Sequence, residues 1–315
     1  MNERTNVFDV IIVGGGPAGL GAALTLGRQR RKVLLVDSGT YRNEPAQEMH
    51  MFLSRDGFPP AELRRLGREE LTHYPTVEIR EDLVVTATGA AGDFTVDLAS
   101  GPSEHARRLL LASGQADVLP EVDGVAERFG KGVYHCPFCH GFETAGKPLA
   151  VLGGDFSHAM LALYVADRFS DDVVLCAGGP LEVSDELRAA LKEKGIDVRE
   201  EPVTRIGGEQ ESLTVHFGSG APLERGAIYH RPVSRQRSDL AAGLGCELLP
   251  DGCVRVNAMQ QTTVAGVYAA GDTARLPDLV GPTPFVITAA ADGAKAAIWL
   301  EQDLFRSSVN VPIPG

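Results

Sequence analysis

The chain has 315 residues, 43% of them hydrophobic and 36 of them glycine, enough for two ordinary globular cores and unlike a disordered composition. Its 42 acidic against 30 basic residues leave a net charge of −12, which argues against a nucleic-acid or anionic-membrane partner. The opening MNERTNVFDV is polar and acidic without a basic n-region, and the apolar run from Val10 to Leu26 is interrupted by glycines. Neither an export signal nor a spanning helix is expected, and a cytoplasmic location is. Five cysteines, an odd number, point to redox chemistry at one pair rather than to a disulfide framework.

In chain order, Asp9 to Val13 is a short run of apolar, mostly β-branched residues and reads as a buried parallel strand. It runs into Gly14-Gly15-Gly16-Pro17-Ala18-Gly19, a helix from Leu20 to Arg30 and a second strand from Lys32 to Val36. Tyr41 to Pro60 is long, irregular and rich in Met, His and Arg, as binding loops are. Glu62 to Leu71 reads as a helix, and strands are expected at 77–79, 83–86, 94–98 and 108–112. A second strand–helix–strand unit starts near Ala150: strands at 148–152 and 172–176 flank a helix from Ala159 to Phe169. Leu187 to Lys194 is helical, Gly266 to Ala270 is a strand, and a closing helix spans about Phe285 to Leu304.

Each glycine of the first turn has a physical use. Gly14 allows the tight bend, Gly16 lets backbone approach a pyrophosphate, and Gly19 lets helix and strand pack closely. The helix start then faces the phosphates with free N–H groups. Asp37 follows about 20 residues on, where a carboxylate accepts bonds from ribose hydroxyls and repels a 2′-phosphate. That favours FAD or NAD over NADP. Gly271-Asp272, after an apolar strand, supplies a carboxylate suited to ribityl hydroxyls. The helix that opens after Pro282 and Pro284 presents its positive end to the anionic edge of a reduced flavin.

Cys136-Pro137-Phe138-Cys139-His140 is the second informative motif. Two cysteines separated by two residues can close an easily reduced disulfide. Pro137 suits a first helical turn, which puts Cys136 where a thiolate is favoured. An ordinary thiol is only about 3% ionised at pH 7, so an adjacent base matters. His140 is the expected base, oriented by Glu143, and His135 is its rival. Haem attachment also uses CxxCH, but no export signal accompanies it. Zinc would need a second ligand pair, and Cys246 and Cys253 stand seven apart and far downstream, so no metal site is expected. Cys176, Cys246 and Cys253 read as buried thiols, and Arg235 and Arg237 as part of a solvated hinge. Dinucleotide turn and cysteine pair together describe a flavoenzyme that moves electron pairs between thiols and flavin.

GGGPAG, Ala112-Ser113-Gly114, CPFCHG and AAGD, in that order over nearly the whole chain, resemble the low-molecular-weight thioredoxin reductase family. Cys136-x-x-Cys139-His140-Gly141-x-Glu143 is most similar to its branch of dithiol oxidases, which includes the gliotoxin and holomycin sulfhydryl oxidases. The resemblance implies an α/β fold of two Rossmann-like domains, with an FAD domain built from residues 1–116 and 232–315 and a degenerate NADPH-type domain, 117–231, inserted between. It implies FAD held by Gly14 to Gly19, by Asp37, Ser38, Arg42 and His50, by Ala112, Ser113 and Gly114, and by Gly271, Asp272, Phe285 and Val286. It implies that Cys139 is the flavin-side sulfur, that Cys136 meets substrate, and that the protein is a homodimer. Its expected partners are a small dithiol metabolite, such as a dithiolopyrrolone or an epidithiodiketopiperazine, and O2.

The inserted domain departs from its relatives. Their turn reads Gly-x-Gly-x-x-Ala/Gly, whereas here the run from Gly153 puts Asp155 and His158 at the second and third positions. A carboxylate facing a pyrophosphate costs roughly 1–4 kcal/mol. The basic cluster that holds the 2′-phosphate is replaced by Cys176-Ala177-Gly178-Gly179-Pro180. The expectation is a scaffold without NADPH, and hence a dithiol oxidase that passes electrons to O2. The alternatives are a disulfide reductase driven by NAD(P)H or ferredoxin, and a flavin-bound redox sensor.

Overall fold

The structure is a computed structural model that describes residues 7–309; the opening MNERTN, on which part of the reading of location rests, lies outside them. The chain divides into two compact units. One comprises the chain up to Arg42, Ala61–Ala116 and everything described from Arg235 onward; the other comprises Asn43–Pro60 and Asp117–Ser234. Two boundaries therefore differ from the sequence expectation. Residues 43–60 belong with the second unit, and the return crossing falls after Ser234 rather than after Arg231. The irregular segment carries no long periodic run, so only its tertiary contacts decide which core it joins.

The first unit is built on strands in the order Val77–Glu81, Val33–Asp37, Val7–Val13, Glu104–Leu111, Asp93–Leu98 and Val84–Ala90, with Val267–Ala269 also paired to Glu104–Leu111. The strands 77–81, 33–37, 7–13, 104–111 and 267–269 run parallel. They are covered on both faces, which is why they read as uninterrupted apolar runs; Ile11, Ile12, Leu34, Leu35, Leu109 and Leu110 are all fully buried. Each such side chain contributes about 1.5–3 kcal/mol. Register matters more for the site. Val13 pairs with Val36 and with Leu111, and Leu111 pairs with Ala269, so four strands from both halves of the sequence end at one edge. The helices Pro17–Arg28 and Val286–Ser308 pack closely because Gly21 lies against the carbonyl of Ala290, and Gly293 against that of Ala18.

The second unit repeats the plan with five parallel strands, ordered Asp197–Arg199, Val173–Cys176, Leu149–Leu152, Ala227–Tyr229 and Val133–Tyr134. An antiparallel sheet of Val203–Glu209, Ser212–Phe217 and Leu223–Arg225 packs beside it. The sequence reading left these three strands unassigned. Their inward faces are short (Ile206, Leu213 and Val215 among them). Val203–Glu209 carries two glycines near its end, whereas Ser212–Phe217 alternates polar and apolar residues and was a signal the reading passed over.

Candidate active site

The shared sheet edge of the first unit gathers the dinucleotide residues. Gly14 has φ +110°, a conformation L side chains rarely adopt, and a Cβ there would overlap the carbonyl of Ala112 with Ser113 just beyond. A Cβ on Gly15 would overlap the carboxylate of Asp37, and one on Gly19 the carbonyl of Gly14. Gly16 differs, because nothing lies within 4 Å of the position its Cβ would take. Its open side faces no protein, as backbone set aside for a ligand should. The helix Pro17–Arg28 begins on Pro17 and has no side-chain cap at Gly16, which leaves its first N–H groups to a phosphate.

Asp37 is only 2% exposed, yet it is well partnered: Arg68 and Tyr41 both donate to its carboxylate, and the Gly39 N–H adds a bond of 3.2 Å. Burial, then the bond to Asp37, raises the Tyr41 phenol, so it remains a donor. Arg64 stacks on the Tyr41 ring at 3.8 Å. A cleft of about 970 Å³ opens here, lined by Asp37, Ser38, Tyr41, Arg64, Arg68 and Arg237 among others. Arg235 and Arg237, expected only as hinge residues, line it too, and the Arg237 side chain donates to the carbonyl of Gln115 at 3.0 Å. Sequence reasoning missed Tyr41, Arg64 and Arg68. Arg64 and Arg68 stand four apart, one helical turn, which is a signal for one face but not for what that face meets. Removing Arg68 would leave a buried carboxylate short of a cation. Arg68→Met is expected to cost about 2 kcal/mol, less than a fully buried pair because the Arg68 side chain is 24% exposed, and to weaken FAD binding about tenfold by fluorescence titration.

Further along the edge, the Gly114 N–H donates to Thr273 Oγ1 at 2.7 Å, and Gly271 takes φ +67° against Ala18 and Ala289. Arg42 and Asp272 pair at 3.1 Å. Phe285 is the N-cap of the helix Val286–Ser308 and brings no side-chain acceptor to its first N–H groups. Uncrowded backbone at Gly16, a buried and anchored carboxylate at Asp37 and a start of the helix Pro17–Arg28 without a side-chain cap fit FAD; at the other helix the Thr288 hydroxyl accepts from the Phe285 N–H at 3.3 Å.

In the second unit the strand Val133–Tyr134 runs directly into His135 and the cysteine pair, which is disulfide-bonded. Cys136 is the N-cap of the single helical turn Pro137–His140, and its Sγ accepts from the Cys139 N–H at 3.2 Å. Cys136 is buried and Cys139 partly exposed, the reverse of the order expected if Cys136 is the sulfur that meets substrate. His140 stacks flat on Tyr134, with centroids 4.1 Å apart and planes 14° from parallel. Burial, then the nearby His50 and His135, lowers its pKa to about 4, so the ring is neutral at pH 7 and, in the resting site, only a weak base. The unfolded chain therefore binds the extra proton between about 6.5 and 4, and stability should fall as pH drops through that window. His140→Gln should remove that part of the slope in thermal melts across pH. His135 stacks on Phe129 at 5.7 Å.

Glu143 does not orient His140. It lies 3.6 Å from Nε2 of His50, which also has Glu48 at 3.8 Å and Asp56 at 3.5 Å from its Nδ1. The His50 ring meets His140 edge-on at 6.2 Å. His50, expected as a flavin or substrate contact, thus has its described contacts in the second unit, because residues 43–60 pack there. His50 and Glu143 are 93 positions apart, and no local pattern links them.

The second unit's own glycine turn is shut. Gly153 has φ +132°, as Gly14 has +110°, and the spacing to Asp155 and His158 matches that to Gly16 and Gly19. Asp155 caps the helix Phe156–Arg168, accepting from the His158 N–H at 3.0 Å, the His158 ring at 2.8 Å and Ser157 at 2.7 Å. Burial raises its pKa, but these bonds outweigh it and bring the carboxyl to about 2. The His158 ring lies 2.5 Å from where a Gly153 Cβ would sit and continues to His230, whose Nδ1 is 2.8 Å from the carbonyl of Leu152. Cys176 is buried and pushed up to about 12, and the nearby Arg199 is engaged by Glu201 and Phe217. Cys246 and Cys253 are buried too, and among the described residues no group of three metal-ligating side chains converges. None of the described helices is long and apolar enough to cross a membrane.

Comparison with known proteins agrees with this geometry. Residues 8–293 match the pyridine nucleotide-disulphide oxidoreductase family. Thioredoxin reductase tcpT of Claviceps purpurea is 34% identical over 281 residues, covering 86% of this chain and 88% of its own. Thioredoxin reductase sirT of Leptosphaeria maculans is 32% identical, covering 85% and 88%. The crystal structure of HlmI is 36% identical with a TM-score of 0.88, covering 98% of this chain and 96% of its own, and an oxidoreductase from Agrobacterium tumefaciens is 35% identical with a TM-score of 0.87, covering 95% and 99%. The chain belongs to the pyridine nucleotide-disulphide oxidoreductase family: it is an FAD-binding oxidoreductase with the thioredoxin reductase-like fold.

Proposed function

We propose that this protein is an FAD-dependent dithiol oxidase that closes an intramolecular disulfide in a small natural-product dithiol, with O2 as acceptor and H2O2 as co-product. The observation that carries the reading is the shut second turn. In the first turn Gly16 leaves open space, whereas at the matching place the chain's own Asp155 caps the helix and His158 covers the glycine. A nicotinamide dinucleotide would have to displace a carboxylate held by three bonds, with no basic cluster to reward it.

A substrate thiolate attacks Sγ of Cys136, the S–S bond breaks, and Cys139 leaves as a thiolate. The second substrate thiol gives up its proton and attacks the substrate sulfur of the mixed disulfide, which releases the cyclic disulfide and Cys136. His140, one residue beyond Cys139, takes up the thiol proton only transiently and passes it toward His50 and Glu143, which stand next in line. Bound FAD supplies the two-electron relay from the cysteine pair to O2. In sum, dithiol and O2 become disulfide and H2O2. The reading includes a cytoplasmic homodimer, which sedimentation of the purified protein addresses.

Anaerobic mixing tests it. A dithiol should bleach the flavin within seconds and NADPH should not; rapid bleaching by NADPH would replace the oxidase with a reductase. In air, consumption of one O2 per dithiol is expected.

A further inference from the structure

Beside the cysteine pair the second unit exposes an apolar stripe that the mechanism above does not use. The helix Phe156–Arg168 buries one face through Ala159, Leu161, Ala162 and Val165. Phe156, Met160 and Tyr164, at i, i+4 and i+8, form a separate row that is 66%, 43% and 37% exposed. Phe138, between the two cysteines and 61% exposed, packs its ring 5.9 Å from that of Tyr164. The row is therefore continuous with the redox turn. Arg168, the cation at the end of the helix, is paired with Asp167 at 3.1 Å, and Asp155 at the start is spent on the cap.

Resting on the dithiol-oxidase reading, we infer that this stripe docks the body of the substrate, and that the substrate class is a dithiol on a compact, apolar framework. Two observations select that occupant over a protein. A permanent partner or second copy covering Phe138 would also cover the cysteine turn, so the occupant has to come and go with each turnover. The stripe is also small. From Phe156 to Tyr164 the helix rises roughly 12 Å, little more than two turns, whereas a stable protein partner needs roughly 800 Å² and 20–30 residues a side. An aromatic and Met surface of this size suits a flat apolar molecule.

The test measures anaerobic flavin reduction, and O2 uptake in air, with 1,2-bis(mercaptomethyl)benzene, dithiothreitol and reduced thioredoxin as electron donors. Wild-type kcat/KM for the aromatic dithiol should exceed that for dithiothreitol by at least about tenfold, the worth of burying one apolar side chain or ring edge. In Phe156→Gln/Met160→Gln the ratio should fall toward one, through KM rather than kcat. A wild-type ratio near one, a ratio unmoved by the substitutions, or preference for thioredoxin would overturn the inference and leave the oxidase intact. If the double variant loses its FAD spectrum, Tyr164→Ser and Met160→Gln alone carry the same comparison. Bleaching by NADPH, with none by either small dithiol, would overturn the oxidase reading and the docking surface with it.

Discussion

Cys136→Ser and Cys139→Ser should each lower dithiol turnover on the order of a thousandfold or more, while the purified protein stays yellow. Without either sulfur there is no disulfide to accept electrons, and a serine hydroxyl cannot replace a leaving thiolate. The substitutions should spare the fold. A disulfide between residues three apart closes so short a loop that its removal costs about 2 kcal/mol. The dinucleotide residues also belong to the other compact unit, whose core contains neither cysteine. The two variants should differ toward a linear aromatic disulfide added without any thiol. In Cys139→Ser the free Cys136 attacks it, one arylthiolate leaves, and the mixed disulfide stays trapped and visible by mass; Cys136→Ser should not trap it. Full turnover in either variant would dismiss the pair as the redox centre, and trapping on Cys139 alone would reverse the assigned roles.

Gly14→Ala and Gly19→Val should yield colourless protein. Gly14 sits at φ +110° and a Cβ there overlaps the Ala112 carbonyl. Positive φ alone costs a non-glycine residue about 1–2 kcal/mol, and the overlap adds to it. At Gly19 the added atoms would fall on the Gly14 carbonyl and pry helix from strand. FAD affinity should drop at least about a hundredfold in both, with a lowered melting midpoint. Gly16→Ala separates the ligand's need from the fold's. Its Cβ meets nothing within 4 Å, so the melting midpoint of the FAD-free protein should hold while FAD affinity falls. A Gly16→Ala protein that binds FAD normally would show that the pyrophosphate lies elsewhere. Gly245→Ala, also at positive φ but with no neighbour within 4 Å and outside the cleft, is the control: about 1 kcal/mol and no loss of colour.

Particular residues show how far a sequence can be read. The first turn was legible because each glycine answers a local demand, and strand, turn, helix and acid follow one another within about 30 positions. The second turn was legible as a loss, since Asp155 and His158 stand at the spacing of Gly16 and Gly19. That Asp155 would turn its charge inward onto the helix start, rather than toward a ligand, depended on the His158 ring being within reach. In the small sheet between Val203 and Arg225, the outer strands are short or carry glycines and have little periodicity of their own, while Ser212–Phe217 alternates and was legible but overlooked.

The amino-acid order alone determined what depends on neighbours along the chain: the glycine turn, the paired cysteines with a base beside them, the unequal second turn and the strands buried on both faces. Tertiary structure decided the company each side chain keeps across long separations. It set Arg68 and Tyr41 on Asp37, moved Glu143 from His140 to His50, assigned residues 43–60 to the second unit, and laid Phe138 against an exposed helix row. The physical reason is one of range. Backbone dihedrals and turn sterics act over a few residues, whereas an ion pair or a stacked ring forms wherever packing of whole elements brings two groups within a few ångströms, and no spacing in the sequence records that distance.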